Sequence, residues 1–380
     1  MVLINKDILL KKGKEWPFMK KRLILLLTVV TLSTDAQVVK SPFIIENKFH
    51  TGINLPLYEA LDFLVEDNIY SFDLSLCFPA SGDNYWEKLY NYPRTGIGFS
   101  LSSLGNEEIL GNAWSLFKFI SIPVLERGQK FSLNFCASLG GAYLPDPFDI
   151  DDNHLNRGIG SYVNLFMRMG MDFRICLFPR SEIIFGTAFT HYSNGKTKSP
   201  NYGLNIGTVS LGLNYLFNYN ELSVKDTEIP AFVNKYDQSV ILSGGIKVYD
   251  NLLDIKYFTS SAGYNIERRL SHVHKIGIGA DLFYDASIRE ALADPDGTPE
   301  EDFGQCIRFG LHASYSARYK RTLFGFQVGY YLYSEYPVNT SIYNKLSMQY
   351  MVTQNILGSM AVRSHMGKAD CIEFGIGYTW

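Results

Sequence analysis

The sequence predicts an all-β protein, an antiparallel transmembrane β-barrel of about 12–14 strands. Its composition is charge-poor and aromatic-rich for a soluble domain, with 19% charged and 14% aromatic residues. Apolar residues alternate with small and polar ones along most of the chain. In the last segment one strand face would carry Ile372, Phe374, Ile376, Tyr378 and Trp380. An apolar face backed by small and polar residues is typical of a barrel strand with lipid outside and the lumen inside.

The N-terminal segment, residues 1–36, has the features of a secretory signal peptide. A basic cluster ends at Arg22, an apolar run occupies 23–30, and Ala36 is the small residue that a signal peptidase prefers. The apolar run is too short to span a membrane comfortably. Met19 is an alternative start of the signal. The sequence therefore predicts export to the bacterial outer membrane.

The mature chain, residues 37–380, is predicted to form the barrel as one domain. Single-chain bacterial barrels have even strand numbers, whereas the candidate strands give an odd count, hence the expectation of about 12–14 strands in one barrel. The candidate strands are 44–55, 69–79, 94–104, 112–124, 130–142, 161–177, 182–193, 205–217, 238–249, 253–265, 272–287, 304–318, 322–333, 347–365 and 370–380.

Charge and cysteine usage exclude several functions. The net charge of −3 gives no electrostatic basis for binding nucleic acid. The five cysteines are an odd number, and each lies within a strand-like run, which argues against a disulfide framework. No pattern indicates a metal site or a cofactor.

A hairpin near the middle of the chain carries the residues of chemical interest. His191 and Ser193 are two residues apart on one predicted strand, so they share its face with Phe185 and Phe189. Because bulky apolar residues face lipid, this face is predicted to point outward. Asn205, on the following strand, falls on the same face, and a turn centred near Ser199 would place it opposite Ser193.

The depth of this hairpin in the membrane follows from strand direction. With a periplasmic N-terminus, odd strands run outward, and the strand of His191 is counted as the seventh. The turn after Ser193 is therefore predicted to be extracellular, at the level of the outer-leaflet headgroups. Polar residues on a lipid-facing surface are costly, which favours a functional role for this pair.

The segment H-Y-S-N-G-K-T-K-S-P-N-Y-G-L-N, residues 191–205, resembles the active-site hairpin of the PagL family of outer-membrane lipid A 3-O-deacylases. The resemblance implies an eight-stranded barrel with an outward-facing Ser-His-Glu triad that hydrolyses an ester-linked acyl chain of lipid A. It identifies His191 with the base of the family and Ser193 with the nucleophile. Residues 37–217 have about the length of the whole family barrel.

Two features depart from this family. Some six further predicted strands follow Phe217, so the barrel is expected to be wider than that of the family or differently closed. The Glu of the family triad aligns with Asn205, and no acidic residue occurs between Ile183 and Asn220. An Asn can orient an imidazole, but it does not stabilise the imidazolium as a carboxylate does.

The turn of the hairpin supplies further candidates. Asn194 and the backbone N–H of Gly195 are candidates for the oxyanion hole, although an Asn-Gly pair equally forms a tight turn. Lys196 and Lys198 are candidates for contacts to lipid A phosphates, with solvated loop lysines as the alternative. The predicted partners are outer-leaflet lipid A and the membrane, and the sequence leaves monomer and homodimer open.

The sequence thus favours an acyl-ester hydrolase of the lipid A deacylase type. Two alternatives stay open at this point. One is a passive pore or lipophile transporter, which the large strand number favours. The other is a catalytically inactive barrel, which the missing acid favours.

Overall fold

The first barrel is formed by the N-terminal half of the chain. The computed structural model describes residues 41–127, 130–195, 197–219, 224–248, 255–292, 304–335, 340–365 and 368–380. In the first barrel each strand pairs with its sequence neighbours, and the strands are β1 (Phe43–Asn54), β2 (Ile69–Phe78), β3 (Arg94–Ser103), β4 (Asn112–Arg127), β5 (Phe131–Tyr143), β6 (Val163–Phe178), β7 (Ser181–Ser193) and β8 (Leu204–Phe217). The predicted signal peptide lies outside the described residues.

The second barrel follows in the same chain and has the same strand number. Its strands are β9 (Tyr236–Val248), β10 (Lys256–Arg269), β11 (His274–Asp285), β12 (Ile307–Tyr319), β13 (Thr322–Ser334), β14 (Ile342–Met351), β15 (Ile356–His365) and β16 (Lys368–Thr379). Short helices lie between strands: α1 (Tyr85–Leu89), α2 (Ser287–Leu292) and two 3-10 turns, Glu59–Leu64 and Gly304–Cys306.

The antiparallel β-barrel class is confirmed, but the expected single barrel of about 12–14 strands is wrong. The chain forms two closed barrels, and the described residues contain sixteen strands. The first barrel closes because β1 pairs with β8, from Phe43↔Phe217 to Asn54↔Ile206. The second closes because β16 pairs with β9, for example at Ile372↔Ile246. Closure leaves no unpaired sheet edge in either barrel.

The outer surfaces follow the alternation read from the sequence. In β16, Phe374 and Ile376 are 64% and 62% exposed, whereas Glu373 between the outward positions is 1% exposed. Charged groups would be expensive on the lipid side, and the strand residues Arg174, Arg363 and Glu373 are buried inside the barrels. Among the described residues, no helix is long and apolar enough to cross a membrane.

Charged side chains fill the lumen of the first barrel. Arg174 is buried and lies 2.8 Å from Glu46 and 3.1 Å from Asp172. Arg94 makes a bidentate pair with Glu182, at 2.6 and 2.7 Å. A cavity of about 40 Å³ is left among these groups. An eight-stranded barrel is just wide enough for side chains to fill it, and this lumen is filled.

The end of the first barrel that carries the β7–β8 turn is closed by an apolar cluster. Its members come from the strand ends and the loops, and we call it the loop-end cluster: Leu61, Leu64, Ile69, Leu104, Leu110, Ala113, Phe117, Ala142, Leu144, Ile159, Phe166, Tyr192, Leu204 and Ile206. Tyr192 is fully buried and meets Phe166 edge to face, with ring centroids 5.6 Å apart. The cluster fixes the backbone of this hairpin from the inside.

The second lumen is also polar and filled. Asp281 accepts hydrogen bonds from Tyr343 and pairs with His312, both at 2.7 Å. Arg363 is fully buried and lies 3.1 Å from Asp370 and 3.3 Å from Glu373. All five cysteines are unpaired in the structure.

The two barrels touch at the end opposite the loop-end cluster. The guanidinium carbon of Arg318 lies over the ring of Trp86 in α1, 5.4 Å from the ring centroid. Tyr90 donates a hydrogen bond to the Arg318 carbonyl at 2.6 Å, and burial raises the pKa of Tyr90 to about 12, so it remains a donor at neutral pH. Lys88 pairs with Asp226 of the connecting segment at 2.5 Å. These contacts hold one barrel beside the other.

Candidate active site

The hairpin of β7 and β8 presents its polar residues on the outer face. His191 and Ser193 alternate with Tyr192, whose ring points inward into the loop-end cluster. On the next strand Asn205 follows Leu204, another member of that cluster. Because the inward residues are fixed in an apolar core, the outward ones are held in place by the strands that carry them.

Ser193 and Asn205 both lie within hydrogen-bond distance of His191. His191 Nε2 lies 2.9 Å from Ser193 Oγ, and His191 Nδ1 lies 2.7 Å from Asn205 Oδ1. The expectation that Asn205 lies opposite Ser193 is wrong by two residues of register, because Asn205 pairs with His191. This pairing is what brings the Asn205 side chain to Nδ1 rather than to the hydroxyl.

These contacts determine which nitrogen of the His191 imidazole carries the proton. Asn205 Oδ1 is only an acceptor, so Nδ1 carries the proton and donates it to this oxygen. The lone pair of Nε2 then faces Ser193 and accepts its hydroxyl proton. Asn205 is only 5% exposed, which shields this hydrogen bond from water. The arrangement is that of a base and a nucleophile oriented by a third group.

The turn after Ser193 is held by its own side chains and by the β5–β6 loop. The side-chain nitrogen of Asn194 donates to Ser161 Oγ at 3.0 Å and to the Lys198 carbonyl at 2.9 Å. The backbone N–H of Asn194 donates to Asn201 Oδ1 at 3.1 Å. The amide hydrogens of Asn194 are thus committed to the turn, as in the turn-forming alternative.

Two other donors of this turn have no acceptor among the residues that the structure describes. They are the backbone N–H of Gly195, which has φ +63°, and the side-chain nitrogen of Asn201. The sequence gives no reason to expect more of Asn201 than that it shapes the turn. The signal for it was weak, because an Asn after a Pro is common in turns.

Of the two lysines of the turn, Lys196 lies outside the described residues. Lys198 is exposed, and its carbonyl accepts a hydrogen bond from the Asn194 side chain. The hydrogen bonds of His191 to Ser193 and Asn205 do not involve Lys198.

Apolar side chains surround the polar centre on the barrel wall. Ser193 is opposite Leu165 and His191 is opposite Met167, both on β6. Below them on β7, Phe185 and Phe189 are 47% and 43% exposed. The environment therefore suits a substrate with an apolar chain.

Gly203 allows the backbone of β8 to approach the imidazole. Its φ is +77°, and a Cβ at this position would lie 2.8 Å from His191 Cε1. We expect Gly203→Ala to displace the ring and to lower kcat by about 10- to 100-fold, since a misplacement of about 1 Å can have that effect. The measurement is the rate, with purified protein, of the acyl-ester hydrolysis that the resemblance implies.

The matched control is Gly141→Ala, since no atom lies within 4 Å of a Cβ there. This variant should keep the wild-type rate. Equal rates for Gly203→Ala and wild type would contradict the assigned position of the imidazole.

Comparison with protein families gives two matches along the chain. Residues 70–214 match the lipid A 3-O-deacylase (PagL) family, which covers β2 to β8 of the first barrel up to Asn214. Residues 236–380 match the C-terminal domain of acyloxyacyl hydrolase, which corresponds to the second barrel. No protein with a curated description matches the sequence.

Several solved structures resemble this chain at low sequence identity. Neisserial surface protein A is 10% identical, covering 46% of this chain and 97% of its own, with a TM-score of 0.34. OpdO of Pseudomonas aeruginosa is 9% identical, covering 90% and 97%, with a TM-score of 0.23. Omp33 of Acinetobacter baumannii is 8% identical, covering 90% and 98%, with a TM-score of 0.17. Scores this low carry no further weight.

Proposed function

We propose, because this chain belongs to the PagL family of lipid A deacylases and acyloxyacyl hydrolases, that it hydrolyses an acyl ester of lipid A with Ser193 as nucleophile and His191 as base. As a member of this family the protein resides in the bacterial outer membrane. Its substrate is then part of the leaflet that surrounds the barrel.

In the acylation step Ser193 Oγ attacks the ester carbonyl carbon while its proton passes to His191 Nε2, 2.9 Å away. The tetrahedral intermediate collapses as the ester C–O bond breaks, and the imidazolium gives the proton to the leaving alcohol. Asn205 Oδ1 accepts the hydrogen bond from His191 Nδ1–H throughout, which keeps the ring oriented. The product of this step is an acyl group on Ser193.

In the second step water releases the fatty acid. His191 Nε2 takes a proton from the water, which attacks the acyl carbonyl, and returns a proton to Ser193 Oγ as the acyl bond breaks. The negative oxygen of each intermediate is stabilised by N–H donors. We assign this role to the N–H of Gly195 and the side-chain nitrogen of Asn201, with Asn194 shaping the turn that carries them.

The substrate's position follows from the height of the site on the barrel wall. Ser193 is the last residue of β7, where the strand meets the loops, so an ester near the headgroups of the outer leaflet can reach it. The acyl chain then extends down the apolar wall. The exposed Lys198 is available to lipid A phosphates as a point charge.

The filled lumens favour this proposal over a passive pore. In the part of the chain that the structure describes, charged networks occupy both barrel interiors, and the cavity in the first barrel is only about 40 Å³. A solute path through either barrel would have to break several buried ion pairs. Hydrolysis at the outer face of the barrel requires no movement of the side chains that fill the lumen.

The observation that carries the proposal is the pair of hydrogen bonds made by His191, to Ser193 Oγ and to Asn205 Oδ1. The test is mass spectrometry of lipid A from cells that express the wild-type protein or Ser193→Ala. We expect loss of an acyl chain with the wild type and intact lipid A with the variant, since no nucleophile remains.

The same lipid A profile for both proteins would reject the proposal. The control variant is Ser210→Ala, on β8 away from the turn, which should deacylate as the wild type does. Heat-modifiable electrophoretic mobility establishes that each variant is folded in the membrane.

A further inference from the structure

A residue of the second barrel lies against the active-site turn of the first. A Cβ added to Gly195 would overlap Ile372 Cδ1 and lie 2.5 Å from Ile372 Cγ1. Ile372 belongs to β16 and faces outward, as do Phe374 and Ile376. The outer wall of the second barrel therefore contacts the turn of the first barrel at Gly195, two residues after Ser193.

Close to this contact, the outward side chain of β16 is less exposed than those farther along the same strand. Ile372 is only partly exposed, whereas Phe374 and Ile376 on the same face are more than 60% exposed. On the first barrel, Leu165 and Met167, opposite Ser193 and His191, are also partly covered although they face outward. The second barrel thus flanks the site on the side of the turn.

Contacts at the other end of the molecule keep this arrangement in place. Trp86 stacks on Arg318, Glu87 lies 3.6 Å from Lys320, and Tyr90 binds the Arg318 carbonyl. The barrels are therefore joined at one end by polar and aromatic contacts and meet at the other end through Ile372 and Gly195. A substrate that reaches Ser193 from the membrane encounters both walls.

We propose that the second barrel forms one wall of the acyl-chain site, and that Ile372 is a specificity-determining residue for a long-chain acyl ester bound at Ser193. The inference rests on the proposed function. Where the acyl chain leaves Ser193, before it extends down the barrel wall, it lies between the apolar residues of β6 and the side chain of Ile372, which contacts Gly195. Binding of the chain therefore depends on a residue far from the triad in sequence.

The test compares chain-length preference in full-length variants. The kcat/KM values for p-nitrophenyl palmitate and p-nitrophenyl butyrate are measured for wild type, Ile372→Trp, Ile372→Leu and Ile278→Trp. Ile278 is the matched control, an outward isoleucine on β11, three strands away from β16 and 67% exposed. We expect Ile372→Trp to lower the palmitate-to-butyrate ratio by about ten-fold, the discrimination that one misfitting group gives in an apolar site. Ile372→Leu and Ile278→Trp should keep the wild-type ratio.

Equal ratios for Ile372→Trp and Ile278→Trp, whether changed or unchanged, would overturn this inference while the activity of the wild type upholds the proposed function. A wild-type protein that hydrolyses neither ester and leaves lipid A intact would instead reject the proposed function. If Ile372→Trp does not fold, Ile372→Ala replaces it. This variant removes the wall without overpacking, so a several-fold fall in the same ratio is expected, and an unchanged ratio overturns the inference.

Discussion

Replacing His191 with Gln is expected to lower kcat for lipid A deacylation by about 10⁴-fold or more, because the removal of a base that acts together with a serine abolishes most of the catalysis. Gln can still donate and accept hydrogen bonds, but it cannot take the proton of Ser193 Oγ. The hydrogen bond that the Ser193 hydroxyl donates to His191 Nε2, at 2.9 Å, is the contact that this change removes. The measurement is the initial rate of fatty acid release from lipid A by purified protein.

A double variant tests whether His191 and Ser193 act together as one catalytic unit. The double variant His191→Gln, Ser193→Ala should be no slower than either single variant. When two residues act as one unit, the loss of either one already removes their joint contribution to the rate. His274→Gln is the matched control, because this exposed histidine pairs only with Tyr315 on the second barrel. Its rate should equal that of the wild type. Losses that multiply in the double variant would show that the two residues act separately.

Strand parity allowed the outward face of the site to be predicted from the sequence. A period of two leaves only two faces, and the phenylalanines at 185 and 189 identify the lipid side. The register between β7 and β8 could not be predicted as securely. A turn centred one residue earlier than expected moves Asn205 from Ser193 to His191. The side chains of the turn and the β5–β6 loop decide this, and loop contacts are not periodic.

The predicted strand count is wrong partly because one turn between two strands has a weak sequence signal. The segment 347–365 was read as one strand, but it contains the end of β14, a turn and β15. No Gly or Pro marks this turn. Instead Thr353 Oγ1 accepts hydrogen bonds from the N–H groups of Asn355 and Ile356, at 3.2 and 2.9 Å. A Thr-mediated turn is a weaker sequence signal than a glycine turn.

The division into two barrels depends on contacts between distant parts of the chain. Nothing in a strand's own sequence says whether β8 pairs with β1 or with β9. The pairing of Phe217 with Phe43, whose rings are stacked at 4.9 Å, decides it. The contact between Ile372 and Gly195 has the same origin, because it forms only once both barrels are closed and joined. The sequence pattern therefore predicts which face of β7 and β8 points outward better than it predicts which other parts of the chain lie beside that face.

Asn205→Asp is expected to raise kcat by about 10- to 100-fold. Loss of the acid from a serine triad can lower kcat by about 10⁴-fold, but part of that loss comes from the wrong imidazole tautomer. Here Asn205 Oδ1 already accepts a hydrogen bond from His191 Nδ1–H at 2.7 Å, so the tautomer is correct and only the stabilisation of the imidazolium is missing. Asp has the same length as Asn and can restore it without moving the strand.

Asn205→Glu tests whether the identity of the acid or its reach matters. Its extra methylene must be accommodated where Asn205 is only 5% exposed, so we expect a smaller gain than with Asp. Asn205→Leu removes the acceptor and should lower the rate below that of the wild type. The gain with Asp must disappear in the double variant Ser193→Ala, Asn205→Asp. An unchanged rate in Asn205→Asp and in Asn205→Leu would mean that another group orients His191, and that the pairing at β8 is structural only.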